Sequence, residues 1–145
     1  LLSPLMILVS LAIFLYDRGP VFYRQTRYTK GGKTFKILKF RSMIPNAEKG
    51  GVARLAADND DRITPVGKFI RATRIDELPQ FFNILKGDMS FVGPRPERPE
   101  IADEYVKELP EFAFRLKVKA GLTGYAQIYG KYNTTSYDKL KLDMI

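Results

Sequence analysis

The sequence predicts an α+β fold, a helix-rich single domain with a small β-hairpin, led by an apolar helix of membrane grade. Three observations carry this reading. Residues 1–16 contain no charge, two aromatic and β-branched runs flank a Gly-Gly between residues 21 and 41, and later stretches place apolar residues at helical spacing. With 145 residues, 45% hydrophobic and 28% charged, the chain has material for one domain with a core and too little for two.

The opening run, Leu1 to Tyr16, is almost wholly Leu, Ile, Val, Phe and Met, interrupted by Ser3, Pro4 and Ser10. As a helix it reaches about 24 Å at about 1.5 Å per residue, short of a hydrocarbon core of about 30 Å, so it does not span a bilayer as it stands. A buried core helix is the alternative. A cleaved signal peptide fits poorly, since no basic flank precedes the run and no small-residue cleavage site follows it. The absence of an initial Met leads us to expect further residues upstream. Residues 1–16 are therefore expected to form a membrane helix and residues 17–145 a domain beside it.

Charge begins at Asp17, and Arg18 to Arg41 hold eight basic residues and no acid, where lipid headgroups would lie. Val21-Phe-Tyr-Arg24 and Thr34 to Arg41 flank Thr29-Lys-Gly-Gly-Lys33, which reads as a hairpin loop. A solvated basic hairpin and a phosphate-binding one both remain open. Residues 44–61, with Gly50, Gly51 and the Asp58-Asn-Asp-Asp61 cluster, read as a short helix and a loop. Thr64-Pro65 is a helix start, a capping hydroxyl before a proline at the first helical position, with Val66, Phe69 and Ile70 as the apolar face. In Asp76 to Gly87, Leu78, Phe81, Phe82 and Leu85 follow helical spacing. Pro79 is tolerable only in a first turn, so the helix is expected to start near Asp76 as its N-cap and to end before Gly87. Phe91 to Glu97 is a stiff loop with Pro94 and Pro96 around Arg95, Pro99 to Leu109 is a further helix, and Gly121 to Gln127 is turn-rich.

Composition narrows the chemistry. The net charge of +8 suggests a polyanionic partner such as nucleic acid, anionic lipid or a phosphorylated substrate. There is no Cys and no His, which removes disulfides, thiolate nucleophiles, imidazole bases and ordinary zinc sites. Any metal should be a hard, oxygen-seeking ion such as Mg²⁺. A covalent route would need a carboxylate, hydroxyl or amine, and of these only a carboxylate is already ionised at neutral pH.

Asp76 and Glu77 are adjacent acids at the predicted helix start, with Arg71 and Arg74 before them and Arg95 in the proline-locked loop after them. Helix amides and the macrodipole favour anions, and arginine's planar fork suits phosphate oxygens, so a phosphate with or without Mg²⁺ could sit beside the carboxylates. The amides and arginines are expected to keep the Asp76 pKa low. The same residues also fit a plainer role, with Asp76 capping the helix and Glu77 complementing its dipole. A nucleic-acid partner would explain the charge but not the apolar opening or the acids beside the arginines, so none is expected.

Five ordered stretches carry a resemblance: Gly19-Pro-Val-Phe-Tyr-Arg-Gln-Thr-Arg27, Lys39-Phe-Arg-Ser-Met43, Asp61-Arg-Ile-Thr-Pro-Val-Gly67, Arg74-Ile-Asp-Glu-Leu-Pro-Gln80 and Leu85-Lys-Gly-Asp-Met-Ser-Phe-Val-Gly-Pro-Arg-Pro-Glu97. Together they resemble the bacterial sugar transferases, the monotopic polyprenyl-phosphate phosphoglycosyl transferases. The resemblance implies a single catalytic domain that takes a UDP-sugar and polyprenyl phosphate with Mg²⁺. Asp76 is then the nucleophile that forms a phosphosugar intermediate and releases UMP, and Glu77 serves the metal site or proton handling. Asp76 and Glu77 are the implied metal ligands. Arg71, Arg95, Arg41 and Lys39 are the implied phosphate-binding residues, with Pro94 and Pro96 shaping the loop. Ser3-Pro4 matches the kink of a re-entrant membrane helix that enters and leaves on the cytoplasmic face of the bacterial inner membrane. The implied partners are substrate, carrier lipid and membrane, with a homodimer left open, and the implied setting is the start of exopolysaccharide, capsule, O-antigen or glycoprotein glycan assembly. Lys119-Ala120 and Tyr125 depart from the family's usual Arg-Pro and Trp, which weakens any inference about sugar preference from that region. Family members usually continue past the position of Ile145, so a C-terminal element is expected beyond it.

Overall fold

A computed structural model describes residues 2–48, 60–131 and 134–145. The architecture is α+β, and the chain packs as two compact units: Leu1–Arg24 with Leu38–Pro79, and Gln25–Ile37 with Gln80–Ile145. Strands β1 (Phe22–Tyr28) and β2 (Thr34–Phe40) form a two-stranded sheet joined through a 3₁₀ turn at Lys30–Gly32, as the sequence predicts. Gly31 and Gly32 both have φ near +70°, the left-handed region in which only glycine is unstrained.

In the first unit, helix α1 (Ser3–Asp17) ends at Arg18, whose left-handed backbone returns its amide to the Phe14 carbonyl. Ser3 and Pro4 are the first two residues of α1, where the missing proline N–H is one of the helix's orphan donors anyway. A bend at Pro4 needs a helical segment before it, and the described residues start at Leu2. Val9 and Ile13 are buried with Phe40 and Ile70, and Met6, Val21, Val66 and Ile75 pack around them. Each fully buried side chain of this kind contributes roughly 1.5–3 kcal/mol. Most other apolar residues of α1 are exposed, with Leu5, Ile7, Leu8, Leu11, Phe14 and Leu15 uncovered. No helix among the described residues is long and apolar enough to cross a membrane.

Helix α2 (Pro65–Ala72) starts where the sequence places it, the Thr64 hydroxyl accepting from the Gly67 amide at 2.9 Å. Gly67 is required by proximity, because a Cβ there would stand 1.9 Å from the Ser42 carbonyl oxygen. The expected short helix after residue 44 is turns at 45–48, and residues 49–59, with Asp58 and Asn59 of the acidic cluster at 58–61, lie outside the described residues.

The second unit holds α3 (Gln80–Lys86), β3 (Ser90–Val92), α4 (Pro99–Glu108), a 3₁₀ segment (Pro110–Lys117), β4 (Gly121–Thr123), α5 (Tyr125–Tyr129) and α6 (Ser136–Asp143). Phe35, Ile37, Met89 and Ala120 form its core, flanked by Ile84 and Leu122. The loop expected at 91–97 is strand at its beginning, since β3 pairs in parallel with β4, Ser90 opposite Gly121 and Val92 opposite Thr123. The helix expected from Asp76 also differs. A 3₁₀ turn at Ile75–Glu77 comes first, and α3 starts only after Pro79. Its burial is inverted: Gln80 and Asn83 are buried, Asn83 donating to the Lys36 carbonyl at 2.9 Å, while Phe82 and Leu85 are 55% and 84% exposed.

Candidate active site

Asp76 lies in the first unit, in the 3₁₀ turn that follows α2. The chain reaches this turn through Arg74, held at φ 59°, a left-handed conformation that costs a non-glycine residue about 1 kcal/mol and turns the backbone sharply away from α2. Asp76 is therefore inside the turn and not its N-cap, which corrects the sequence reading. The next two amides are already committed, Glu77 N–H to the Arg74 carbonyl and Leu78 N–H to the Ile75 carbonyl. They do not serve the Asp76 carboxylate as a cap would.

Asp76 is 8% exposed, and its Oδ1 is buried without a hydrogen-bond partner among the described residues. A buried acceptor without a donor costs free energy and calls for an explanation. Burial pushes the Asp76 pKa above its ordinary 3.8, and Glu77 adds to the rise, while Lys39, Arg71 and Arg74 pull against it. The expectation of a depressed pKa is thus reversed, because desolvation outweighs the surrounding cations.

Around this carboxyl the first unit gathers four of the residues singled out by sequence. Glu77 accepts from Lys39 at 3.0 Å, both side chains being mostly buried, and Arg74 stands 4.0 Å from the same Glu77 oxygen. Arg71 donates to the Ser42 hydroxyl at 3.4 Å, beside the close approach made possible by Gly67. Neither the Lys39–Glu77 pair nor Ser42 follows from local spacing, since the partners lie 38 and 29 residues apart. Arg41 is placed differently. It is 7% exposed and gives its guanidinium to Asp17, at 2.7 Å through Nη1, and to the carbonyls of Pro20 and Met43. That pairing holds the Asp17 carboxyl below its usual range and fastens the end of α1. The guanidinium thus has internal partners on each of its nitrogens.

Arg95, Pro94 and Pro96 belong to the second unit. Both prolines are buried and Arg95 is half-buried, and all three line a cleft with Val106, Phe112 and Leu116.

Among the described residues no group of three or more acidic ligands forms that could hold a metal. The pair Asp76 and Glu77 nevertheless suits Mg²⁺, which is commonly held by one or two carboxylates while it keeps waters and substrate phosphate oxygens. The unpartnered Asp76 Oδ1 is an oxygen donor of the hard type that such an ion prefers.

Comparison with known proteins agrees with the family resemblance read from the sequence. The chain is 47% identical to the UDP-N-acetylgalactosamine-undecaprenyl-phosphate N-acetylgalactosaminephosphotransferase of Aeromonas hydrophila, over 99% of this chain and 34% of that protein. It is 48% identical to a UDP-glucose:undecaprenyl-phosphate glucose-1-phosphate transferase of Caulobacter vibrioides, over 90% of this chain and 48% of the relative. A protein of the same description from Escherichia coli is 45% identical over 97% of this chain and 30% of its own length. The chain thus spans 30% to 48% of the length of these relatives. The bacterial sugar transferase model matches residues 1–145, and the chain belongs to that family.

Proposed function

We propose that this chain is the catalytic portion of a membrane-attached enzyme that moves a sugar 1-phosphate from a UDP-sugar to polyprenyl phosphate and releases UMP. The setting proposed is the cytoplasmic face of a bacterial inner membrane, where such a step would begin exopolysaccharide, capsule, O-antigen or glycoprotein glycan assembly. Asp76 is the proposed nucleophile. The observation that supports this most directly is its buried carboxyl, whose Oδ1 has no partner among the described residues, because a desolvated carboxylate oxygen is more reactive towards phosphorus than a solvated one.

In this mechanism an Asp76 oxygen attacks the β-phosphorus of the UDP-sugar, the bond from that phosphorus to the bridging oxygen breaks, and UMP leaves with the electron pair. An oxygen of the polyprenyl phosphate then attacks the same phosphorus and expels the Asp76 carboxylate, which leaves the sugar on a lipid diphosphate. Lys39, Arg71 and Arg74 keep enough positive charge near Asp76 for the carboxylate to ionise despite burial, and Lys39 fixes Glu77 beside it. Arg95 is assigned a substrate phosphate, since a planar guanidinium between two prolines loses little freedom on binding. Asp76 and Glu77 would hold Mg²⁺, which when bound supplies charge neutralisation on the phosphates. The apolar exposed face of α1 supports a membrane-inserted helix, re-entrant at Ser3-Pro4 in the full protein.

The test is single-turnover labelling. With labelled UDP-sugar, Mg²⁺ and no lipid acceptor, the enzyme should release about one equivalent of UMP and carry label on Asp76, the burst of a covalent intermediate. Asp76→Asn should lose both signals. UMP release that required lipid phosphate, with no adduct trapped, would replace this route by direct in-line transfer.

A further inference from the structure

The second unit contains a buried ionic cluster for which the reaction above has no use, and it is attached to the loop that carries Arg95. Every carbonyl of Pro94 to Glu97 accepts a hydrogen bond. Pro94 accepts from the Gly121 amide at 2.9 Å, Arg95 from Arg115 Nη2 at 3.0 Å, Pro96 from Arg27 Nη1 at 3.0 Å and Glu97 from the Tyr28 amide at 3.0 Å. Two of these donors are main-chain groups of β4 and β1, which almost any residue would supply. The other two are arginine side chains.

Arg115 is 6% exposed and divides its guanidinium in three directions. Nε donates to Asp143 of α6 at 2.6 Å, Nη2 to the Arg95 carbonyl, and Nη1 lies 3.9 Å from Glu97 of the same loop, whose carboxylate also meets Lys139 at 3.4 Å. The ring of Phe112 lies below it, 4.6 Å from centroid to guanidinium carbon. The Arg95 carbonyl is the informative partner. Proline rings fix φ at positions 94 and 96, and a residue before proline is confined to extended conformations, yet ψ of Arg95 keeps a range of tens of degrees. A donor on the Arg95 carbonyl fixes that ψ, and with it the direction in which the Arg95 side chain leaves the backbone.

We propose that Arg115, oriented by Asp143, is the positioning residue of the Pro94–Glu97 loop and sets where the Arg95 guanidinium is presented; this rests on the phosphate role given to Arg95 above. Lysine could keep the charge beside Asp143 and Glu97 but not the three-way fork.

The experiment uses the full-length protein in its membrane, with Arg115→Lys and Arg95→Ala alone and combined, and reads UDP-sugar kinetics together with hydrogen exchange over residues 93–98. Arg115→Lys should lower kcat/KM for UDP-sugar about 10- to 100-fold, the size expected of a misplaced contact, and should add nothing once Arg95 is alanine. Exchange over 93–98 should quicken while α4 is unchanged. Asp143→Asn, which leaves Arg115 in place, should show the same non-additivity at smaller size and serves if the lysine variant does not fold. Losses that add in full to Arg95→Ala, or unchanged exchange over 93–98, would overturn the proposal. A wild type that releases no UMP from any UDP-sugar would instead remove the proposed function, and the exchange readout alone would then decide whether Arg115 holds the loop.

Discussion

Asp76 and Asp143 are both aspartates whose pKa is pushed above 3.8 with burial as the first cause, one in each unit. They differ in what meets the carboxylate. Asp143 receives Arg115 Nε at 2.6 Å, while Asp76 Oδ1 has no donor among the described residues. The first is a satisfied buried ion pair, whose removal would strand a charge; the second is an unsatisfied group that the fold tolerates at a cost. The same direction of shift thus marks one aspartate as part of the scaffold and the other as a candidate reacting group, and the hydrogen-bond partner separates them.

The largest effect expected is at Asp76. Asp76→Asn should lower turnover by at least about 10³-fold, as loss of a covalent nucleophile does. The native carboxyl titrates above its unfolded 3.8, so the folded state binds more protons through that interval and stability falls as pH rises across it. Above that interval the folded protein bears the full penalty, so Asp76→Asn should there raise the thermal midpoint, and a lowered midpoint would contradict an unsatisfied carboxylate. Next is Asp143→Asn, which should destabilise the fold by about 3 kcal/mol in denaturant titration, because Arg115 loses its counter-charge in a site where the two side chains are 5% and 2% exposed. The third tests the neighbourhood of Asp76 without touching charge. Gly67→Ala should cost about 2 kcal/mol, read as a shifted urea midpoint, as Ser42 and α2 are forced apart. The smallest change is a shift in a profile. Lys39 pulls the Asp76 pKa down, so Lys39→Met should move the acidic limb of kcat/KM to higher pH, and a limb that stayed in place would show that another group controls it.

Local signals were legible in the sequence, and signals that depend on distant partners were not. Thr64-Pro65 marked the start of α2 because a cap and a first-turn proline act within four residues. The Gly-Gly of the hairpin and the helix from Pro99 were readable for the same reason. Helical spacing identified an apolar stripe on α3 but could not say which stripe would be buried, and Gln80 and Asn83 took the inner side. The parallel pairing of β3 with β4 joins three-residue strands from distant stretches of chain, too short to show a period. At the site, the adjacent acids and their arginines stood out as a constellation. The sign of the Asp76 shift did not, because it depends on burial and on a turn whose amides face elsewhere. The family resemblance implied Arg41 as a phosphate-binding residue, and only the fold joins it to Asp17.

That joint bears on how the protein can be handled. Deleting α1 is the obvious way to obtain a form that dissolves without detergent, since most of its surface is exposed Leu, Ile and Phe. Yet Val9 and Ile13 are half of the buried cluster completed by Phe40 and Ile70, and Asp17 at its last turn is the counter-ion of Arg41. A truncated protein would lose a wall of its own interior and leave a guanidinium stranded, within the same unit that holds Asp76. The helix is as much a part of the first unit as α2, and solubility is better sought by replacing its outward residues than by removing it.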